Sequence, residues 1–179
     1  MDEVVPGVYF TNSPTFKMNW SDVQFLKDRA DVQPDDGEHL KKARLCTHPS
    51  ADYLGFHEML IAMQKGLYIR PHRHHGKGES FNVIEGDAMF VVFNDRGDIE
   101  DQWRLSRRGV FYHRVPELNW HTIIPLTDFF VVHEVTEGPF LPKSMEWAMW
   151  APEADGDEAG AYVGGLLDEC DVRCKAALL

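Results

Sequence analysis

Within 179 residues the chain sets 18 Lys and Arg against 29 Asp and Glu, a formal charge of −11. Its field therefore repels phosphate backbones and anionic lipid, which excludes nucleic acid and a membrane surface as expected partners. At 44% hydrophobic and 26% charged residues, the composition is that of a soluble globular protein, of a length for one domain with a terminal extension.

The opening MDEVVPGVYF lacks a basic stretch followed by an apolar one, and no apolar run approaches the roughly 20 residues needed to span a bilayer. The expected location is cytoplasmic. GVYFT is β-rich, and NWSDVQFLKDRA follows it, where Ser21 with Gln24 three residues on predicts a capped helix over Asp22–Arg29. DVQPDDGEH reads as a polar loop with turns at Pro34 and Gly37. From Leu40 to Val135 short runs rich in β-branched and aromatic residues recur between Gly, Asp, Asn and Pro: FHEMLIAM, GLYIRPH, ESFNVIEG, DAMFVVFND, DQWRLS, GVFYHRV, WHTIIPL and DFFVVHEV. Eight strands at this spacing predict an all-β sandwich or barrel. A proline- and acid-punctuated tail then leads into an amphipathic helix near Val163–Leu178. Cys46 reads as buried filler. Cys170 and Cys174, without further thiol or imidazole nearby, read as packing or surface thiols rather than ligands.

The chemistry concentrates in PHRHHGKGES, Pro71 to Ser80. Residues two apart on a strand share a face, so His72 and His74 project together and His75 turns away. After the short HGKG connection, Glu79 shares a face with Phe81 and Val83. Two antiparallel neighbours would set His72, His74 and Glu79 on one inward surface, one ligand short of a mixed nitrogen and oxygen site. The competing reading is a solvated, histidine-rich hairpin.

Gly66, five residues, His72-x-His74, four residues, Glu79, six residues, Gly86 matches the first sequence motif of the cupin superfamily at every spaced position. The second motif is weaker. After Gly109 come six residues and PELNWHTIIP, in which Pro116 and His121 are in place, but Leu118 stands where the motif has glycine and Pro125 where it has asparagine. With RLCTHPSADYLGFHEMLIAM, HEVTEGPF and MWAPE added, the stretch from Arg44 to Glu153 resembles the WbuC family of cupin-fold metalloproteins. That resemblance implies a single small cupin, a double-stranded β-helix or jelly-roll barrel, with a short N-terminal helix and a C-terminal helical tail. The expected division is an N-terminal strand and helix over 1–40, the barrel over 41–150, and an acidic loop with a helix packed on the barrel over 151–179. It also implies one divalent metal held by His72, His74, Glu79 and His121, and a setting in polysaccharide biosynthesis. Three imidazoles and a carboxylate suit iron, manganese, nickel, copper or zinc, and an octahedral ion would keep two positions open.

Around the metal, His57 and Glu58 are adjacent, as are His133 and Glu134, and alternation alone cannot choose which of each pair faces inward. His57, His133 and Glu134 are the candidate acids or bases. Lys77 is the candidate to reach an anionic substrate over the barrel mouth. Arg44 and Arg70 are candidate anchors for a carboxylate or phosphate, and Tyr68 is a candidate wall residue. Surface ion pairs, a turn lysine and core filler are their competing roles, and His39, His48 and His113 carry no signal. The expected function is metal-dependent chemistry on a small polar, sugar-like or small carboxylate molecule, by isomerase, epimerase or oxygenase routes. The alternatives are a non-catalytic metal-dependent binding or sensor module and a structural role in which the metal is incidental. A homodimer is expected, with GVYFT a candidate to join a neighbour's sheet edge.

Overall fold

The structure, a computed structural model, describes residues 1–13, 15–32, 40–154 and 156–176, the last five of these by backbone alone. The expected turn at Pro34 and Gly37, together with His39 and the side chain of Cys174, lies outside the described residues. Among the described residues, twelve strands form two sheets. The first sheet, in spatial order, is β1 (Asp2–Val5), β2 (Val8–Phe10), β3 (Lys42–Cys46), β4 (Phe56–Gln64), β11 (Phe129–Glu137), β6 (Glu79–Glu85) and β9 (Tyr112–Val115). The second is β12 (Met145–Trp147), β5 (His72–His74), β10 (Trp120–Pro125), β7 (Asp87–Phe93) and β8 (Ile99–Ser106). Pairing is antiparallel except between β2 and β3, which run parallel. Val8–Phe10, the candidate for exchange, thus pairs within its own chain, and β1 becomes the outer strand of the sheet.

Three apolar layers explain why several strands read as nearly continuous hydrophobic runs. Between the sheets, Met59, Ile61, Phe81, Phe90 and Val132 form the barrel core. Outside the first sheet, helix α1 (Trp20–Ala30) lays Val23, Leu26 and Ala30 on Ala43, Leu45, Leu60, Ala62 and Val131. Outside the second, Met89, Val91, Trp120 and Ile124 are covered by Leu166 and Cys170 of helix α2 (Ala159–Ala176). DAMFVVF on β7 feeds the core with Ala88, Phe90 and Val92 and the outer layer with Met89, Val91 and Phe93.

α1 starts two residues earlier than the sequence pattern suggests, because its cap is Asn19 and not Ser21. The Asn19 side-chain oxygen accepts from the Ser21 backbone N–H at 2.8 Å, and the Asp22 carboxylate accepts from the Asn19 N–H at 2.8 Å. The two side chains satisfy helix-end donors reciprocally, as a capping box does.

Both glycines that frame the first motif sit in left-handed backbone, at φ +82° for Gly66 and +77° for Gly86. At Gly86 a β-carbon would also collide with the Phe129 carbonyl oxygen. Leu118, where the second motif has glycine, keeps the glycine-like conformation at φ +66° while remaining half exposed. A β-carbon in this region costs about 1–2 kcal/mol, partly offset by the entropy a glycine loses on folding. Leu118→Gly should therefore stabilise the chain by up to about 1 kcal/mol, a rise in Tm of about 2–4 °C by calorimetry, without changing metal content.

Candidate metal centre

One expectation about the site's construction is corrected. β5 and β6 are not hairpin partners: β5 pairs with β10 and β12, and β6 pairs with β11 and β9 in the opposite sheet. Residues 75–78 carry the chain across the barrel. The His75 N–H is held by the Ser144 carbonyl at 2.7 Å and the Gly78 N–H by the Glu137 carboxylate at 3.0 Å. His72 and His74 therefore meet Glu79 face to face across the barrel rather than side by side.

His121 arrives on β10 directly opposite His72. One potential ligand atom from each of His72, His74, Glu79 and His121 lies within 4.8 Å of all the others. The Glu79 carboxylate sits 3.0 Å from His74 Nε2 and 3.3 Å from His121 Nε2. His72 Nδ1 is 3.0 Å from the Arg70 carbonyl and His121 Nδ1 is 2.8 Å from the Asn119 carbonyl. A carbonyl only accepts, so both Nδ1 atoms donate, and each ring in its neutral form turns an Nε2 lone pair toward the cluster. At His121 that lone pair faces a carboxylate oxygen, a repulsive approach unless a proton or cation lies between them. Burial, reinforced by repulsion from His121, pushes the His72 imidazole down to about 3, so it stays neutral and able to ligate. Burial raises the Glu79 carboxyl, but its contacts with the His121 and His74 Nε2 atoms, through a shared proton or cation, outweigh burial and hold the group ionised. Three imidazoles and an anionic carboxylate in one buried cluster fit a divalent transition ion.

The cluster borders a cavity of about 320 Å³. Strand register now chooses between the adjacent candidates. His57 pairs with Thr136, Thr136 with Glu79, and Glu134 with Phe81, and all of these line the cavity. Glu58 and His133 take the opposite faces, with His133 Nε2 3.9 Å from Glu58 Oε1, so His133 does not reach the cavity as an acid or base. His57 Nε2 lies 2.8 Å from the Tyr53 carbonyl, and its ring stacks on His48 at 3.9 Å between centroids. Burial, then repulsion from Glu79, raises the Glu134 carboxyl to about 8 despite the nearby cations Arg44, Lys42 and Lys77.

Arg44 and Lys77 line the cavity as well. Lys77 is buried, with its ammonium 5.7 Å from the centre of the Phe140 ring. Arg70 and Tyr68 do not border it. Arg70 Nε donates to the Ala148 carbonyl at 3.1 Å, and the Tyr68 hydroxyl donates to the Pro152 carbonyl at 3.0 Å. Both fasten the segment after β12 to the barrel instead of waiting for a ligand. Sequence reasoning missed Lys42, Thr136, Phe140, Met145 and Trp147, all on the cavity wall. Only Lys42 left a signal, as the first member of the alternation Lys42-x-Arg44 on a strand.

With this geometry in place, likeness to known proteins can be stated. Over 64% of this chain and 33% of the other, the structure resembles the capsular polysaccharide assembling protein CapF from Staphylococcus aureus, at 19% identity and a TM-score of 0.52. A CapF structure with the inhibitor 3-isopropenyl-tropolone gives a TM-score of 0.51 at 19% identity, over 60% of this chain and 31% of that one. The barrel is a cupin fold. This chain spans about a third of the length of those CapF chains. KdgF from Halomonas sp. aligns more weakly, at 16% identity and a TM-score of 0.45, over 57% of this chain and 83% of that one. The family described as a domain of unknown function (DUF6016) matches residues 38–105, less than half of the chain. No curated protein matches. Among the described residues, no helix is long and apolar enough to cross a membrane.

Proposed function

We propose that this cupin is a metal-dependent enzyme acting on a small polar, sugar-like molecule, with isomerase or epimerase chemistry ahead of oxygenase chemistry. One observation carries the reading: Glu134, a second titratable group, lines the same cavity as the four ligands. A binding module needs only shape and hydrogen bonds, whereas a catalyst needs a group that can move a proton. The metal, when bound, would supply Lewis acidity toward a substrate carbonyl or hydroxyl.

The remaining work falls to the chain's own side chains. A Glu134 carboxyl raised to about 8 is mostly protonated near neutral pH and is suited to pass a proton in either direction. His57, tied to the Tyr53 carbonyl, forms the wall beside it. Phe140 and Trp147 add apolar rings to the cavity wall. The Thr136 hydroxyl donates to the Gly78 carbonyl at 2.9 Å and steadies the loop that carries Lys77.

Membership of the WbuC family and a role in polysaccharide biosynthesis belong to the same proposal, supported by the motifs above and by the capsule-related name of CapF. So does a homodimer through the edge of β1, where Val4 and Val5 remain exposed. To test the enzymatic reading, metal-loaded wild-type and Glu134→Gln proteins are incubated in D2O with a panel of sugars and sugar acids. Mass spectrometry should find deuterium incorporation or a new product with wild type alone. Ligand binding without any product or exchange would favour the non-catalytic module.

A further inference from the structure

Beyond the ligand cluster the cavity meets cations that the proton chemistry at Glu134 does not use. On β3, Ala43 and Leu45 pack outward against α1, so strand alternation turns Lys42 and Arg44 into the barrel. Arg44 lies opposite Ile61 and Lys42 opposite Met63 on β4, whereas Glu79 is aligned, through Thr136, with His57 on that same strand. The Arg44 position is thus four residues along β4 from the cluster, roughly 13 Å at about 3.3 Å per residue, and its long side chain spans part of that distance. Lys77, two residues before Glu79, stands toward the opposite end.

None of the Lys42, Arg44 and Lys77 side chains forms a hydrogen bond or ion pair with any described residue. Enclosed cations are ordinarily paired, because an isolated buried charge is costly. Partners are not scarce in a chain with 29 Asp and Glu. Yet only Glu79 and Glu134 among the described acidic residues line this cavity. Glu79 is engaged with His74 and His121. Three unpaired cations in one small cavity of an otherwise acidic protein mark a place for a ligand's negative charge.

We infer that the cavity takes a small organic carboxylate. Its carboxylate seats on the Arg44 guanidinium beside Lys42, and its hydroxyl- or carbonyl-bearing end lies at His72, His74, Glu79 and His121. A guanidinium presents paired N–H donors that match the two carboxylate oxygens. The volume of about 320 Å³ lies at the small end of ligand pockets, about 300–1,000 Å³, and suits a single compact molecule. This deepens the proposed function and rests on its placement of substrate at the metal cluster.

Calorimetric titration of the full chain, metal-loaded and metal-stripped, tests it with matched probes: D-glucuronate against D-glucose, D-glycerate against glycerol, and inorganic phosphate. At least one carboxylate should bind about tenfold or more tightly than its neutral partner. Arg44→Ala should weaken that binding at least about tenfold, with metal content unchanged, and Arg44→Lys should recover part of it. If Arg44→Ala does not fold, Lys42→Met carries the test, with an expected loss of severalfold. Equal binding of acid and neutral partners in both pairs would overturn the inference. So would phosphate binding more tightly than either carboxylate, or unaltered carboxylate binding in the cation variants. Failure to bind metal, with carboxylate discrimination intact in the stripped protein, would strike the enzymatic reading and support this one. Metal bound without discrimination would strike this one alone.

Discussion

Replacing His121 by alanine should reduce metal affinity by at least about 100-fold, more than the 10–100-fold typical of losing an outer hydrogen-bond partner of a ligand. The size follows from how the cluster is built. His72 and His74 come from β5 and Glu79 from the facing sheet, while β10 supplies His121 beside β5. Removing His121 leaves two imidazoles and a carboxylate, and it also removes the ring within 3.3 Å of one Glu79 oxygen. The barrel should survive, because Phe90, Phe81 and Ile123 still close the core around the vacated volume. Metal analysis after dialysis against a weak chelator, with far-UV circular dichroism as the control for folding, reads the effect. A variant that keeps one tightly held ion per chain would remove His121 from the ligand set. The metal-free protein should also lose stability in acid through His72. Its folded value is depressed to about 3 from 6.5, so the stability it contributes is present above about pH 6.5 and is lost as pH falls toward 3.

The candidate metal cluster was legible because its information is local: His72-x-His74 and Glu79 are placed by spacing, and His121 by its position after Pro116. How those ligands meet was not legible. A four-residue connection such as HGKG can close a hairpin or cross between sheets, and only the partners of β5 and β6 distinguish the two. The same limit governed His57 against Glu58 and His133 against Glu134. Both faces of β4 and β11 are covered, one by the barrel core and one by α1, so hydrophobic alternation does not say which side is inside. Arg70 and Tyr68 were misplaced for a related reason. Their partners, the carbonyls of Ala148 and Pro152, lie about 80 residues away, and no pattern near either residue encodes that contact. At Leu118 the sequence departs from the motif while the backbone keeps the motif's conformation. Tertiary context there, including the Leu118 N–H donated to the His74 carbonyl at 2.8 Å, overrides the local preference.

Glu134→Gln should stabilise the metal-stripped protein at pH 8 by about 1–3 kcal/mol while removing the activity proposed above. Glu134 borders the cavity in a wall of Met59, Ile61 and Phe81, and its carboxyl forms no hydrogen bond with a described residue. Burial and the charge of Glu79 raise it from 4.5 to about 8. The unfolded chain ionises this carboxyl near pH 4.5, whereas the folded chain resists ionisation until about pH 8. Folding is therefore penalised progressively across that interval, and the penalty is complete above it. Glutamine keeps the shape and cannot ionise, so the gain of the variant over wild type should be near zero at pH 4.5 and largest above pH 8. The figure is kept below the full value of the shift because the cavity gives the carboxyl some access to water. Denaturant titrations at pH 5 and pH 8 measure the difference directly. A gain independent of pH would show that packing, and not the charge, is responsible. A variant less stable at both pH values would mean that the carboxylate is engaged with Lys42 or Arg44 in solution. A stabilising substitution that ends activity would mark Glu134 as a residue retained for chemistry at the expense of stability.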